Sequence, residues 1–154
     1  MRGNVAVSLR PDAELRGIAW NNPPFLTVFV IGSVTGQPAA SLRQAVDAGA
    51  AIALASGYRT IESAVMSPQY LMHLAVARYG LSPEEAIVAT TYNAACSLRM
   101  SHVIGSIEPG KVADLLVMDV PDYSELWRRP GNHDISLVVR AGKVLWRRNP
   151  VGVD

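Results

Sequence analysis

The chain has 154 residues, of which 49% are hydrophobic and 18% charged, with a formal net charge of +1. That balance excludes a disordered tail and a broadly cationic nucleic-acid binder, and the length suffices for one ordinary domain with a real core. The lone cysteine, Cys96, leaves no internal disulfide framework and suits a reducing compartment.

Met1-Arg2-Gly3-Asn4 opens the chain without a long apolar segment, so no signal peptide is expected. Asn4 to Leu9 alternates apolar with polar or small residues and predicts a strand ended by Pro11. Residues 12–38 give a weaker pattern, broken at Asn21-Asn22-Pro23-Pro24. Phe25 to Ile31, rich in β-branched and aromatic residues, predicts a second strand. The most apolar stretch, 25–34, is ten residues interrupted by Thr27, Gly32 and Ser33, too short to span a membrane. A helix is predicted from about Ala40 to Ala48, with Gly49 as its left-handed terminator. Ala51 to Ser56 is a continuous apolar run, the texture of a strand buried on both faces of a parallel α/β sheet.

Two helices with clear start signals come next. Ser67-Pro68 supplies an N-cap hydroxyl and a first-turn proline, and this helix runs toward Gly80. Ser82-Pro83-Glu84-Glu85 is a capping box opening a helix predicted from Pro83 to Leu98. After Arg99 the pattern becomes antiparallel β. One hairpin is predicted from Ile104–Ile107 and Val112–Asp119 around Glu108-Pro109-Gly110-Lys111, a type II turn by its proline and glycine. A short helix over Tyr123–Arg128 follows. A second hairpin then joins Ile135–Arg140 to Val144–Arg147. Arg140, Lys143, Arg147 and Arg148 form the only basic cluster and read as a solvated strand face rather than a phosphate site.

Three segments carry a resemblance. Leu81-Ser82-Pro83-Glu84-Glu85-Ala86-Ile87 with Thr91-Tyr92-Asn93-Ala94-Ala95 resembles the helix after the last barrel strand of the metal-dependent amidohydrolase superfamily. The run from Gly105-Ser106-Ile107-Glu108-Pro109-Gly110-Lys111 through Asp119 resembles that superfamily's return to its small β domain. Val138 to Leu145 resembles its closing hairpin. Asn4–Leu9 and Leu42–Ser56 look most like the imidazolonepropionases, which open an imidazolone ring. The resemblance implies an α/β fold: the C-terminal fragment of a (β/α)8 barrel over 1–99, then a small antiparallel β composite segment over 100–154.

The resemblance also locates a deficit. The superfamily binds zinc or iron through a His-x-His pair, two further histidines and an aspartate on the last strand, and the metal activates water. Here Gly57 stands where that aspartate is expected, followed by Tyr58-Arg59-Thr60. His73, His102 and His133 share no ligand spacing, so no metal centre and no catalytic residue are expected. Ser56, Tyr58 and Arg59 are the candidate substrate-binding residues at the barrel mouth, with Arg59 suited to a carboxylate. Cys96 reads as packing, Asp114 as a buried structural carboxylate met by turn amides, and Asn93 as a backbone anchor.

Three functions fit this pattern: an active hydrolase of cyclic amides, a truncated non-catalytic amidohydrolase, and a binding or regulatory partner of an intact one. The missing ligands favour the second. The expected protein is cytoplasmic, binds neither nucleic acid nor membrane, and associates with copies of itself through exposed strand edges.

Overall fold

The computed structural model describes residues 26–30, 39–56, 66–132 and 134–149. The strand expected over Asn4–Leu9 lies outside them. The first described unit is β1 (Leu26–Val30), α1 (Ala39–Asp47) and β2 (Ala51–Ala55), with β1 and β2 parallel and Leu26 opposite Ala51. A parallel pair needs a crossover, and α1 supplies it. Gly49, at φ +85°, ends α1 as expected: its own N–H reaches Val46 O and the next N–H, of Ala50, reaches Ala45 O.

β2 is buried along Ile52, Ala53, Leu54 and Ala55 without alternation, so both its faces are covered. The core gathers Leu42 of α1, Ile52 and Leu54 of β2, and residues of two following helices, α2 (Pro68–Ala77) and α3 (Pro83–Thr90). Ser67 caps α2 by accepting from Tyr70 N, and the Ser82–Glu85 capping box of α3 is complete in both directions.

The single helix expected from Pro83 to Leu98 is two. α3 stops at Thr90 and α4 (Tyr92–Ser97) begins after Thr91, whose φ −116° and ψ −86° are not helical. Two adjacent threonines explain the break. The hydroxyl of Thr90 donates back to Ala86 O and Ile87 O, and that of Thr91 donates to Ile87 O at 2.7 Å. Such back-bonding competes with the helical ladder and bends it.

The first expected hairpin does not form. β3 (Leu115–Met118) pairs instead with β4 (Ile135–Arg140), which pairs with β5 (Lys143–Arg147), giving an antiparallel sheet ordered β3-β4-β5. The Glu108–Lys111 turn is present, with Gly110 at φ +88°. Its N-terminal arm is held elsewhere: Val103 N and Ile104 N donate to Met100 O, and Gly105 lies against α4. The second hairpin forms as expected, turned by Ala141 and Gly142 at φ +47° and +76°. The segment expected to be a helix over 123–128 is a single 3-10 turn, Tyr123–Glu125, capped by Asp122. Leu126 and Trp127, just beyond it, pack against the core built by α1, β2, α2 and α3.

Arg43 of α1 ties that helix to the start of α3. It donates to both oxygens of Glu85, at 2.8 and 3.3 Å, to Gly80 O and to Asp47. The Arg43 guanidinium holds the Glu85 carboxyl below its usual range, against partial desolvation. A carboxyl depressed by folding stabilises the fold above its unfolded pKa, about 4.3, and that contribution is lost as pH falls through the lower folded value. Thermal melts from about pH 6 downward should therefore fall across this window. Glu85→Gln should flatten that slope; an unchanged slope would show that Glu85 does not carry it.

Candidate functional site

The candidate site expected from the sequence begins at the C-terminal end of β2. Ala51 to Ala55 lead into Ser56, which is 3% exposed and so sits inside the packing rather than on an open surface. Gly57, Tyr58 and Arg59, and with them most of the expected substrate-binding set, lie outside the described residues. The same is true of His133.

What holds this strand end is clear from the residues behind it. Asn93 of α4 donates its side-chain amide to Ile52 O at 2.8 Å, a bond across forty-one positions of chain. The break at Thr91 makes this possible, because it re-aims α4 onto β2 and away from the axis of α3. Asn93 is thus a backbone anchor, as its residue type suggests, but to the strand rather than to its own helix. Asn93→Ala should cost about 1–2 kcal/mol by leaving a partly buried acceptor without its donor. Urea unfolding measures this, and faster amide exchange along β2 than along α2 would mark the lost tie.

The histidines fall into separate places. His73 Nδ1 lies 3.0 Å from Trp127 O, so that nitrogen carries the proton and donates. Its ring stacks between Tyr70 and Trp127, with centroids at 5.9 and 6.3 Å. This is a structural histidine that docks the 123–128 segment onto α2. His102 is exposed in the loop after α4. Cys96 is half-buried and free. Among the described residues, no three side chains of His, Cys, Asp or Glu gather as metal ligands would.

Two clusters were not legible in advance. Lys111, its side chain only 10% exposed, places its ammonium on Ser106 Oγ, on Glu108 Oε1 at 3.0 Å, and 5.4 Å from the Tyr92 ring centroid. The Ser106 hydroxyl and then the Lys111 ammonium hold the Glu108 carboxyl below its usual range. This cage fastens the Glu108–Lys111 turn to α4. Tyr123 donates its phenol to Glu84 Oε1 at 2.7 Å, joining the 3-10 turn to the start of α3. Glu84, in the first turn of α3, and the turn lysine were the available signals, but their distant partners had none.

Asp114 plays the role expected of it with one correction. It is exposed rather than buried, and its Oδ1 accepts from Ala141 N at 2.7 Å, while Gly142 N donates to Ala113 O. It thereby clasps the tip of the second hairpin. Among the described residues, no helix is long and apolar enough to cross a membrane.

A βαβ unit whose last strand is clamped by a following helix pair, and then a small antiparallel sheet, define a class of protein. The chain belongs to the amidohydrolase family, whose profile matches residues 7–145. Its relatives narrow the likeness. The imidazolonepropionase of Geobacillus sp. (strain WCH70) is 41% identical over 107 residues, covering 70% of this chain and 25% of that protein. That of Rubrobacter xylanophilus is 36% identical over 110 residues, covering 71% of this chain and 26% of its own length. Among solved structures, an amidohydrolase from Thermotoga maritima MSB8 superposes with a TM-score of 0.55 at 28% identity, over 70% of this chain and 26% of its own. An adenosine deaminase from Xanthomonas campestris, solved with bound zinc, shares the fold with a TM-score of 0.65 at 23% identity, over 77% of this chain and 31% of its own. The chain therefore spans about a quarter of the length of the curated relatives it matches.

Proposed function

We propose that the chain corresponds to the closing part of an imidazolonepropionase-type amidohydrolase, the last β/α units of a (β/α)8 barrel and the composite sheet after them. We further propose that it carries out no hydrolysis alone. The observation that carries this reading is the end of β2. The strand leads from buried Ala55 and buried Ser56 in sequence to Gly57, which has no side chain to bind a cation. Among the described residues, none is gathered to hold the zinc or iron of the family. Glycine replaces the carboxylate, the His73 Nδ1 is engaged by Trp127 O, and His102 stands apart in an exposed loop.

In this reading Ser56, Tyr58 and Arg59 retain a place at the mouth of the barrel. Arg59 is the group suited to a carboxylate on a propionate-bearing ring, through two parallel charge-assisted bonds. A cytoplasmic setting accords with the free Cys96. The test is metal analysis of the purified chain together with imidazolone turnover. The expected result is a metal content well below one ion per chain and no turnover after loading with zinc or iron. Stoichiometric metal whose removal abolishes turnover would establish the hydrolase instead.

A further inference from the structure

α4 (Tyr92–Ser97) has six residues, fewer than a helix needs to persist by itself in water. Its start is not locked locally. Among the described residues its N-cap, Thr91, makes no side-chain cap bond; the Thr91 hydroxyl turns backward onto Ile87 O instead. Tertiary contacts therefore set where α4 lies, and it has them on two sides.

On one side is β2. Asn93 donates its amide to Ile52 O at 2.8 Å, and Ile52 opens the buried run that ends at Ser56. On the other side is the segment 105–111. The Gly105 backbone presses on buried Ala95, and the Lys111 ammonium lies 5.4 Å from the Tyr92 ring centroid. Lys111 reaches Tyr92 from a fixed base, because the same ammonium donates to Ser106 Oγ and Glu108 Oε1. Its side chain is only 10% exposed, and a desolvated cation beside a ring is held more firmly than an exposed one. Tyr92 and Asn93 are consecutive, about 100° apart around the helix axis. A roll of α4 at Tyr92 carries the Asn93 amide with it, and a hydrogen bond weakens steeply once its angle is lost.

We infer that Lys111 is a positioning residue for β2: its hold on Tyr92 fixes the roll of α4, and α4, through Asn93, orders the strand that leads to the candidate site. Each step is a direct contact, so the coupling runs through one short helix with a neighbour on either side. Its functional weight rests on the reading of β2 as the site strand. The coupling itself is read from backbone order in β2, which metal content and turnover do not report, so the failure of one reading leaves the other standing.

Residue-resolved native-state amide exchange of the purified chain tests it. Lys111→Met keeps an unbranched apolar stem and removes the ammonium. It should speed exchange along Ile52–Ala55 by about two- to fivefold and leave Leu71–Ala75 of α2 at wild-type rates. In an Asn93→Ala background the same substitution should add nothing further in β2, since the link is already cut. Lys111→Arg, still a cation able to lie against the ring, should restore the wild-type rates. Tyr92→Leu removes the other side of the same contact and should reproduce Lys111→Met; it decides the matter if Lys111→Met does not fold. Unmoved β2 rates, equal acceleration of β2 and α2, additive effects of Lys111→Met and Asn93→Ala, or an arginine variant that behaves as the methionine one would each overturn the inference.

Discussion

Gly105→Ala is expected to cost about 3 kcal/mol of folding stability. Two effects combine there. Gly105 has φ +96°, a left-handed conformation that side chains disfavour, and a Cβ built on it would lie 2.6 Å from Ala95 Cβ and 3.1 Å from Thr91 O. The backbone at 105 is pressed onto α4, and nothing flexible stands in the way to yield. Gly110→Ala separates the two effects. Gly110 has φ +88° and its Cβ would meet nothing within 4 Å, so only the conformational term, about 1–2 kcal/mol, applies. Urea unfolding of both variants measures the difference; equal losses would show that Gly105 is not in close contact with α4.

Leu42→Ala should lose about 2–5 kcal/mol. Leu42 is fully buried at 0% exposure, in the cluster that joins α1 to β2, α2 and α3. Its removal leaves a cavity at the centre of the unit that positions the end of β2. Leu145→Ala is the matched control, the same truncation at a site 61% exposed, and should change stability by less than about 0.5 kcal/mol. Thermal denaturation reads both. Similar losses for the two would mean that the core lies elsewhere.

The elements that could be read from sequence are those whose signal is local. Gly49 ends α1 because the left-handed turn there needs a residue without a side chain. Ser67-Pro68 and the Ser82–Glu85 box start α2 and α3 because each cap lies within three residues of the donors it satisfies. The unalternating run of β2 reports burial on both faces directly. The closing hairpin was legible from the glycine turn at Ala141-Gly142-Lys143, although Lys143 already belongs to β5.

The misread elements are those where a distant partner prevailed. Glu108-Pro109-Gly110-Lys111 makes its turn, but a turn does not decide whether its arms pair with each other. Gly105 docks on α4 and β3 finds β4, so the expected strands do not pair, although Val112 N donates to Val103 O across the turn. The periodicity of 83–98 is helical throughout, yet Thr90 and Thr91 together divert the chain so that Asn93 can reach Ile52 O. Of the candidate site, the resemblance expects a carboxylate at Gly57, a position outside the described residues. That Asn93 reaches Ile52 O of β2 was not legible in the sequence.

By itself the sequence determined the family, the caps and turns and the doubly covered strand, all of which depend on neighbouring residues or on residue type. Tertiary structure alone decided the division of α3 from α4, the β3-β4-β5 order, the Lys111 cage, and the bridge from Arg43 to Glu85. Contacts between residues tens of positions apart are set by packing and burial summed over the whole chain, and no local pattern encodes which of several compatible partners will be reached.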